Sequence, residues 1–228
     1  ELTSGGAQTG SKQTGASMGQ NANVAAEIVA AVKKAINIPL FVKLTPEGGQ
    51  IAKVAKALPD CLNLEAIRLI AKSLRGAVAN DPEGREGMAL GQYVAGMGFS
   101  NVGLGVDHSM AHTLSAYYDM PHGKACATLL PAVMAYNAEA TGEKYREIAR
   151  AMGVQGVDSM TQAEYRAAAV EAVRQLAEDV GIVTSLKGVA REEDIHQMSV
   201  DAYNDACRPG NPRETSVEDI EALYRSLM

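Results

Sequence analysis

From Asp60 to Met228 apolar residues recur at helical spacing almost without interruption, and this pattern confines the chain to a mainly α fold. Leu62, Ile67, Leu69, Ile70 and Leu74 share one face of a helix that Asn80-Asp81-Pro82 stops. Met88 to Val102 gives another, in which Gly91, Ala95, Gly96 and Gly98 leave room for a neighbouring backbone, as in a buried central helix. Gly103 and Gly105 mark a break after it. Later helices are expected over about 123–138, 142–152, 161–180, 192–206 and 216–227. Thr161 with Glu164, and Ser216 with Asp219, read as capping boxes; Thr141 reads as the cap of a charged helix. Gly153 and Gly181 read as helix ends.

Upstream, the pattern changes. Leu40, Phe41, Val42 and Leu44 lie between Pro39 and Pro46 and form the one good strand signal. A helix capped by Asn21 precedes them, and Ile51 to Leu58 resumes helical spacing. Residues 21–59 therefore read as a small helix–strand–helix, α/β appendage to a helical domain over 60–228. Residues 1–20, rich in Gly, Ser, Thr and Gln, read as a mobile lead-in, without a GxGxxG or Walker pattern.

A core for this fold must be assembled without tryptophan and with two phenylalanines, so Ala, Val, Leu, Ile and Met close it. The net charge of −6 and the lack of a basic run argue against nucleic acid as a partner. No apolar run approaches the roughly 20 residues that span a bilayer, so no membrane partner is expected. The opening ELTSGGAQTG has neither a basic leader nor an apolar stretch and does not read as a signal peptide. Cys61, Cys126 and Cys207 are widely spaced and odd in number, which fits reduced thiols in a cytoplasmic protein.

Three of the four histidines fall within GLGVDHSMAHTLSAYYDMPHG, residues 103–123. His108 and His112 are four apart and project from one face of a helix. Pro121 breaks that helix, and His122 stands where the next begins. Two imidazoles on one helix and a third across the bend can hold a divalent ion beside a proton-transfer group. On the residues alone a second reading stays open, in which these are ordinary polar groups of a Gly-rich helical hairpin.

The run MALGQYVAGMGFSNVGLGVDHSMAHTLSAYYDMPHG resembles the signature of the iron-containing (group III) alcohol dehydrogenases, in their lactaldehyde reductase and propanediol oxidoreductase branch. The similarity continues through LLPAVMAYNAEATGEKYREIARAMGV to NPRETSVEDIEALYRSLM and covers roughly residues 60–228, the all-helical C-terminal domain of that family. The resemblance implies an NAD-linked oxidoreductase of small alcohols and aldehydes. It makes His108 and His122 ligands to Fe²⁺ or Zn²⁺ and puts His112 beside the reacting centre. It aligns Phe99 and Cys207 with positions that line the substrate pocket. By its chemistry Cys207 also reads as a small buried side chain, and Cys61 and Cys126 read as core.

The family's other two ligands, an Asp and a His in a D-x-x-x-H pattern, and its Gly-Gly-Gly-Ser nucleotide loop have no match here. No histidine precedes His108, and Asp107 points about 100° around the helix from it, a poor replacement. The resemblance thus implies an impaired oxidoreductase with a weak or incomplete metal site. The alternative is an inactive helical domain with at most weak metal binding. Self-association through helix faces left uncovered is a further expectation. Residues 16–58 are similar to a helix–strand–helix piece of flavin-dependent barrels of the dihydropyrimidine and dihydroorotate dehydrogenase type. That similarity would make Lys43 the counterpart of an FMN-contacting lysine, whereas the residues themselves favour a solvated or ion-paired strand-end lysine.

Overall fold

The computed structural model describes residues 22–35, 51–100 and 102–228. The expected strand at 40–44, Lys43 and the lead-in over 1–20 lie outside the described residues. The helices are α1 (Ala22–Ala35), α2 (Ile51–Val78), α3 (Pro82–Phe99), α4 (Val106–Tyr118) and α5 (His122–Asn137). They are followed by α6 (Lys144–Ala151), α7 (Gln162–Asp179), α8 (Glu192–Asn204) and α9 (Val217–Ser226). No strand occurs among the described residues, and those from 60 to 228 are mainly helical as the periodicity predicts. No helix of the described residues is long and apolar enough to cross a membrane. The chain divides into two compact units, residues 1–66 with 93–102, and residues 67–92 with 103–228.

The two helices expected on either side of Pro59 are one, α2, which runs unbroken from Ile51 to Val78. A proline inside a helix removes one backbone bond and disfavours it by about 3 kcal/mol. Strong helix formers on both sides, Ala52, Lys53, Ala55, Lys56 and Ala57 before it and Leu62 to Leu74 after it, outweigh that single loss.

Within the larger unit, α2 turns into α3 through Asn80 and Asp81, and the Asp81 carboxylate accepts the Gly84 N–H at 2.8 Å. Backbone meets backbone there, since a Cβ on Gly84 would sit 2.4 Å from Ala77 N and from Gly76 C. Gly91 packs against the side chains of Leu69 and Ile70, but a Cβ on Gly96 would meet nothing within 4 Å. The expectation of a buried central helix is corrected: Tyr93 and Phe99 on α3 stay 44% and 45% exposed. The glycines of α3 serve one hairpin contact rather than encirclement.

The core of this unit lies among α4, α5, α8 and α9, where Met110, Leu114, Leu129, Ile195, Met198 and Ile220 are fully buried. Tyr224 of α9 is buried with them and donates its hydroxyl to the Met110 carbonyl at 3.0 Å, pinning α9 to α4. Burial raises its phenol well above the ordinary tyrosine range. A smaller cluster, Tyr145, Ala149, Tyr165 and Ala169, joins α6 to α7. Both capping boxes form as expected: the Thr161 N–H reaches Glu164 at 2.7 Å and the Ser216 N–H reaches Asp219 at 3.0 Å. Thr141 does not cap α6; it ends a 3₁₀ turn and donates to the Ala138 carbonyl at 2.8 Å.

Candidate metal centre

The histidine helix α4 begins with no side chain of its own to cap it, because its N-cap is Gly105. The cap comes from 105 residues away: Asn211 Oδ1 accepts the Val106 N–H at 3.4 Å. Asn211 is held in turn by a reciprocal amide pair with Asn137 of α5, at 2.8 and 2.9 Å, and by donation to the Arg213 carbonyl at 2.7 Å. The turn that carries it can approach only because residue 210 lacks a Cβ, which would stand 2.0 Å from the Leu104 carbonyl oxygen. At the other end, Asp119 adopts left-handed φ of 51° and Ser115 donates to the Met120 carbonyl at 2.8 Å. Pro121 then opens α5, with His122 as its first residue. Both ends of α4 are therefore fixed, and so is the angle at which His122 meets it.

That bend brings three imidazoles together. Ring centroids stand 5.4 Å apart for His108 and His122, 5.2 Å for His112 and His122, and 6.5 Å for His108 and His112. The ligand atoms of His108, His122 and Cys126 all lie within 4.8 Å of one another. Two nitrogens bound to one ion at about 2.0–2.1 Å stand roughly 3.3 Å apart, within reach of side-chain rotation. Burial, then the charges of His122 and His112, push His108 below the ordinary histidine value, against an upward pull from Asp205. A ring kept neutral keeps a lone pair for a metal. The donor set fits a divalent cation.

His112 is differently employed. Its Nδ1 meets Asp205 Oδ2 at 2.9 Å, and Asp205 Oδ1 accepts the Cys207 N–H at 2.8 Å and the Ser109 hydroxyl at 3.4 Å. Burial pushes the Asp205 carboxyl up, but the Cys207 amide and His112 together outweigh it and hold it below the ordinary carboxylate range. A carboxylate on Nδ1 fixes that nitrogen as the N–H and leaves Nε2 as acceptor. His112 is thereby held by Nδ1, with its ring stacked beside His122 at 5.2 Å between centroids.

Asp107 and Cys126 complete the corner. Asp107 Oδ2 lies 3.9 Å from His108 Nδ1, while Oδ1 is buried with no hydrogen-bond partner. Burial lifts this carboxyl to about 7, partly offset by a hydrogen bond with Cys126. Cys126 Sγ stands 3.7 Å from His122 Nε2, and burial, reinforced by Asp107, pushes its thiol up to about 12. The helical-wheel expectation for Asp107 is thus modified: its carboxyl stays 3.9 Å from His108 Nδ1 and also meets the thiol side of α5.

The structure brings His108, His112, His122 and Cys207 into one neighbourhood, Cys207 with its amide on Asp205. Phe99 is an exposed residue of the other compact unit. Sequence reasoning missed Asp205, 93 residues from His112, and took Cys126 for core alone. The i, i+4 spacing of His122 and Cys126 was the signal available for the second; nothing local marked the first.

A helical domain organised around a corner of three histidines defines the class to which this chain compares. The chain belongs to the Fe-containing alcohol dehydrogenase family, matching the model of its C-terminal domain over residues 50–228. It is 57% identical over 179 residues to lactaldehyde reductase of Escherichia coli strain K12, covering 78% of this chain and 47% of that protein. It is 41% identical over 180 residues to 1,3-propanediol dehydrogenase of Klebsiella pneumoniae, covering 77% and 46%. Among solved structures, the alcohol dehydrogenase from Oenococcus oeni superposes with a TM-score of 0.71 at 39% identity, over 75% of this chain and 45% of that one. The chain thus spans about half the length of the curated relatives it matches.

Proposed function

We propose that this domain carries the metal-binding half of an oxidoreductase site for small alcohols and aldehydes, of the lactaldehyde and propanediol kind, linked to NAD(H). The observation that carries the reading is the convergence of the His108 and His122 rings, 5.4 Å apart across the Pro121 bend, within a family whose relatives act on such substrates. His108 and His122 would hold Fe²⁺ or Zn²⁺. Such an ion supplies Lewis acidity toward an alcohol or carbonyl oxygen. Of the chain's own groups, His112 exchanges a proton at Nε2 while Asp205 holds its ring by Nδ1. Cys207 keeps Asp205 in place through its amide, and its small side chain borders the space over His112. With two imidazoles as the family-type ligands, the chain alone binds the ion through an open coordination sphere, more weakly than a four-ligand site.

Titration of the 228-residue chain with Zn²⁺, read as a rise in melting temperature, tests the metal half of this reading. Binding to the native state must raise it, and His108→Ala and His122→Ala must each abolish the rise. A rise unchanged in both variants refutes the site. A coupled assay with propanediol, NAD and Fe²⁺ or Zn²⁺ tests the activity, and turnover that survives His122→Ala would refute the role given to that residue.

A further inference from the structure

We propose that Cys126 is a third metal donor, forming with His108 and His122 a two-imidazole, one-thiolate site for a thiophilic divalent cation such as Zn²⁺ or Co²⁺. The proposal rests on the reading that His108 and His122 face one ion, and it adds a ligand and a metal preference to it. His122 and Cys126 are four apart in the first turns of α5, so they stand one above the other on a single face. Their Nε2 and Sγ atoms are 3.7 Å apart. An ion in tetrahedral geometry, about 2.0–2.1 Å from nitrogen and 2.3 Å from sulfur, asks for roughly 3.6 Å between those two atoms. His108 comes from the other helix and closes the triangle, every donor lying within 4.8 Å of the rest.

Half-buried Cys126 packs against the main core. The thiol is protonated in the free chain, so coordination exchanges a proton for the cation: the S–H bond breaks, a sulfur–metal bond forms, and the proton passes to solvent beside exposed His122. Imidazole accepts Fe²⁺, Co²⁺ and Zn²⁺ alike, whereas a thiolate shifts the preference toward the softer zinc-like ions. The second cluster, His112, Asp205 and Cys207, offers a competing thiol. There, however, the imidazole and carboxylate already bind each other at 2.9 Å.

Anaerobic Co²⁺ titration of the reduced 228-residue chain separates these cases. The expected result is a thiolate-to-cobalt charge-transfer band in the near ultraviolet, with about one proton released per ion. Cys126→Ser is expected to lose the band and at least tenfold in Co²⁺ affinity, and Cys207→Ser to keep both. X-ray absorption at the zinc edge of the unmutated chain is expected to show one sulfur at about 2.3 Å, a readout that no folding defect of a variant can disturb. Co²⁺ bound without the band, or zinc with no sulfur neighbour, overturns the Cys126 assignment and leaves the imidazole pair standing. A band lost in Cys207→Ser and kept in Cys126→Ser also overturns it. No Co²⁺ binding at all overturns both readings.

Discussion

The α2–α3 hairpin closes by bringing backbone against backbone at Gly84, with the Asp81 carboxylate spent on a helix cap. The α4–α5 corner is filled instead with imidazoles, a thiol and a buried carboxyl whose Oδ1 has no partner. The first arrangement is a close contact of main chain with main chain. The second is held from outside, by Asn211, Asp205 and Tyr224, because its own side chains disfavour burial. What separates a structural corner from a chemical one in this molecule is where the stabilising contacts come from.

The largest effect expected from this contrast is at Asp107. Its folded carboxyl titrates near 7, above the unfolded value near 4. Between those values the folded chain holds a proton that the unfolded chain has released, so stability falls as pH rises from about 4 to 7 and is level beyond. At 14% exposure the ceiling is about 4 kcal/mol. Asp107→Asn is expected to flatten that decline in metal-free protein, seen as melting temperatures compared at pH 5 and pH 8. An equal decline in both proteins would remove the contrast.

Gly84→Ala comes next, at about 3 kcal/mol, because the new methyl meets main chain that cannot rotate away. The loss is read from denaturant unfolding, and Co²⁺ affinity per folded molecule should not change. Gly210→Ala, whose methyl would also meet main chain, is expected to cost a similar amount, about 3 kcal/mol, and to lower Co²⁺ affinity as well, since it pushes the Asn211 turn off the start of α4. If the two glycines exchanged these signatures, the division into structural and chemical corners would fail.

The smallest effect is expected for Asp205→Asn, about 1 kcal/mol at neutral pH for a hydrogen bond between part-exposed groups. Asp205 has a depressed folded value, so its contribution is present above the unfolded value near 4 and lost as pH falls through the folded one. The variant should lack that acid limb. Nitrogen NMR of His112 should show its tautomers mixing once Nδ1 loses the carboxylate.

Much of the fold was legible because helix signals are local. Thr161 with Glu164 and Ser216 with Asp219 need three residues of context, and both boxes form. Pro59 misled, since a proline argues against a helix only as strongly as its neighbours fail to argue for one. Thr141 misled because an extra 3₁₀ turn absorbed it before α6 began. In the site, the meeting of His108, His112 and His122 followed from spacing and Pro121. The Asp205 pairing did not, because it joins α4 to the end of α8 and no periodicity spans that distance. Asp107 shows the limit of a helical wheel: rotation alone gave neither its approach to His108 nor the thiol it meets on α5.

The long reach of Asn211 has a consequence for synthesis. The ribosome delivers α4 and α5 with all three imidazoles long before it delivers the amide that covers the exposed start of α4, 105 residues later. Until that segment emerges, the corner lacks both its cap and the Tyr224 hydroxyl that pins Met110. A nascent chain interrupted after α7 would therefore carry His108 and His112 on an α4 that has neither its cap nor its pin.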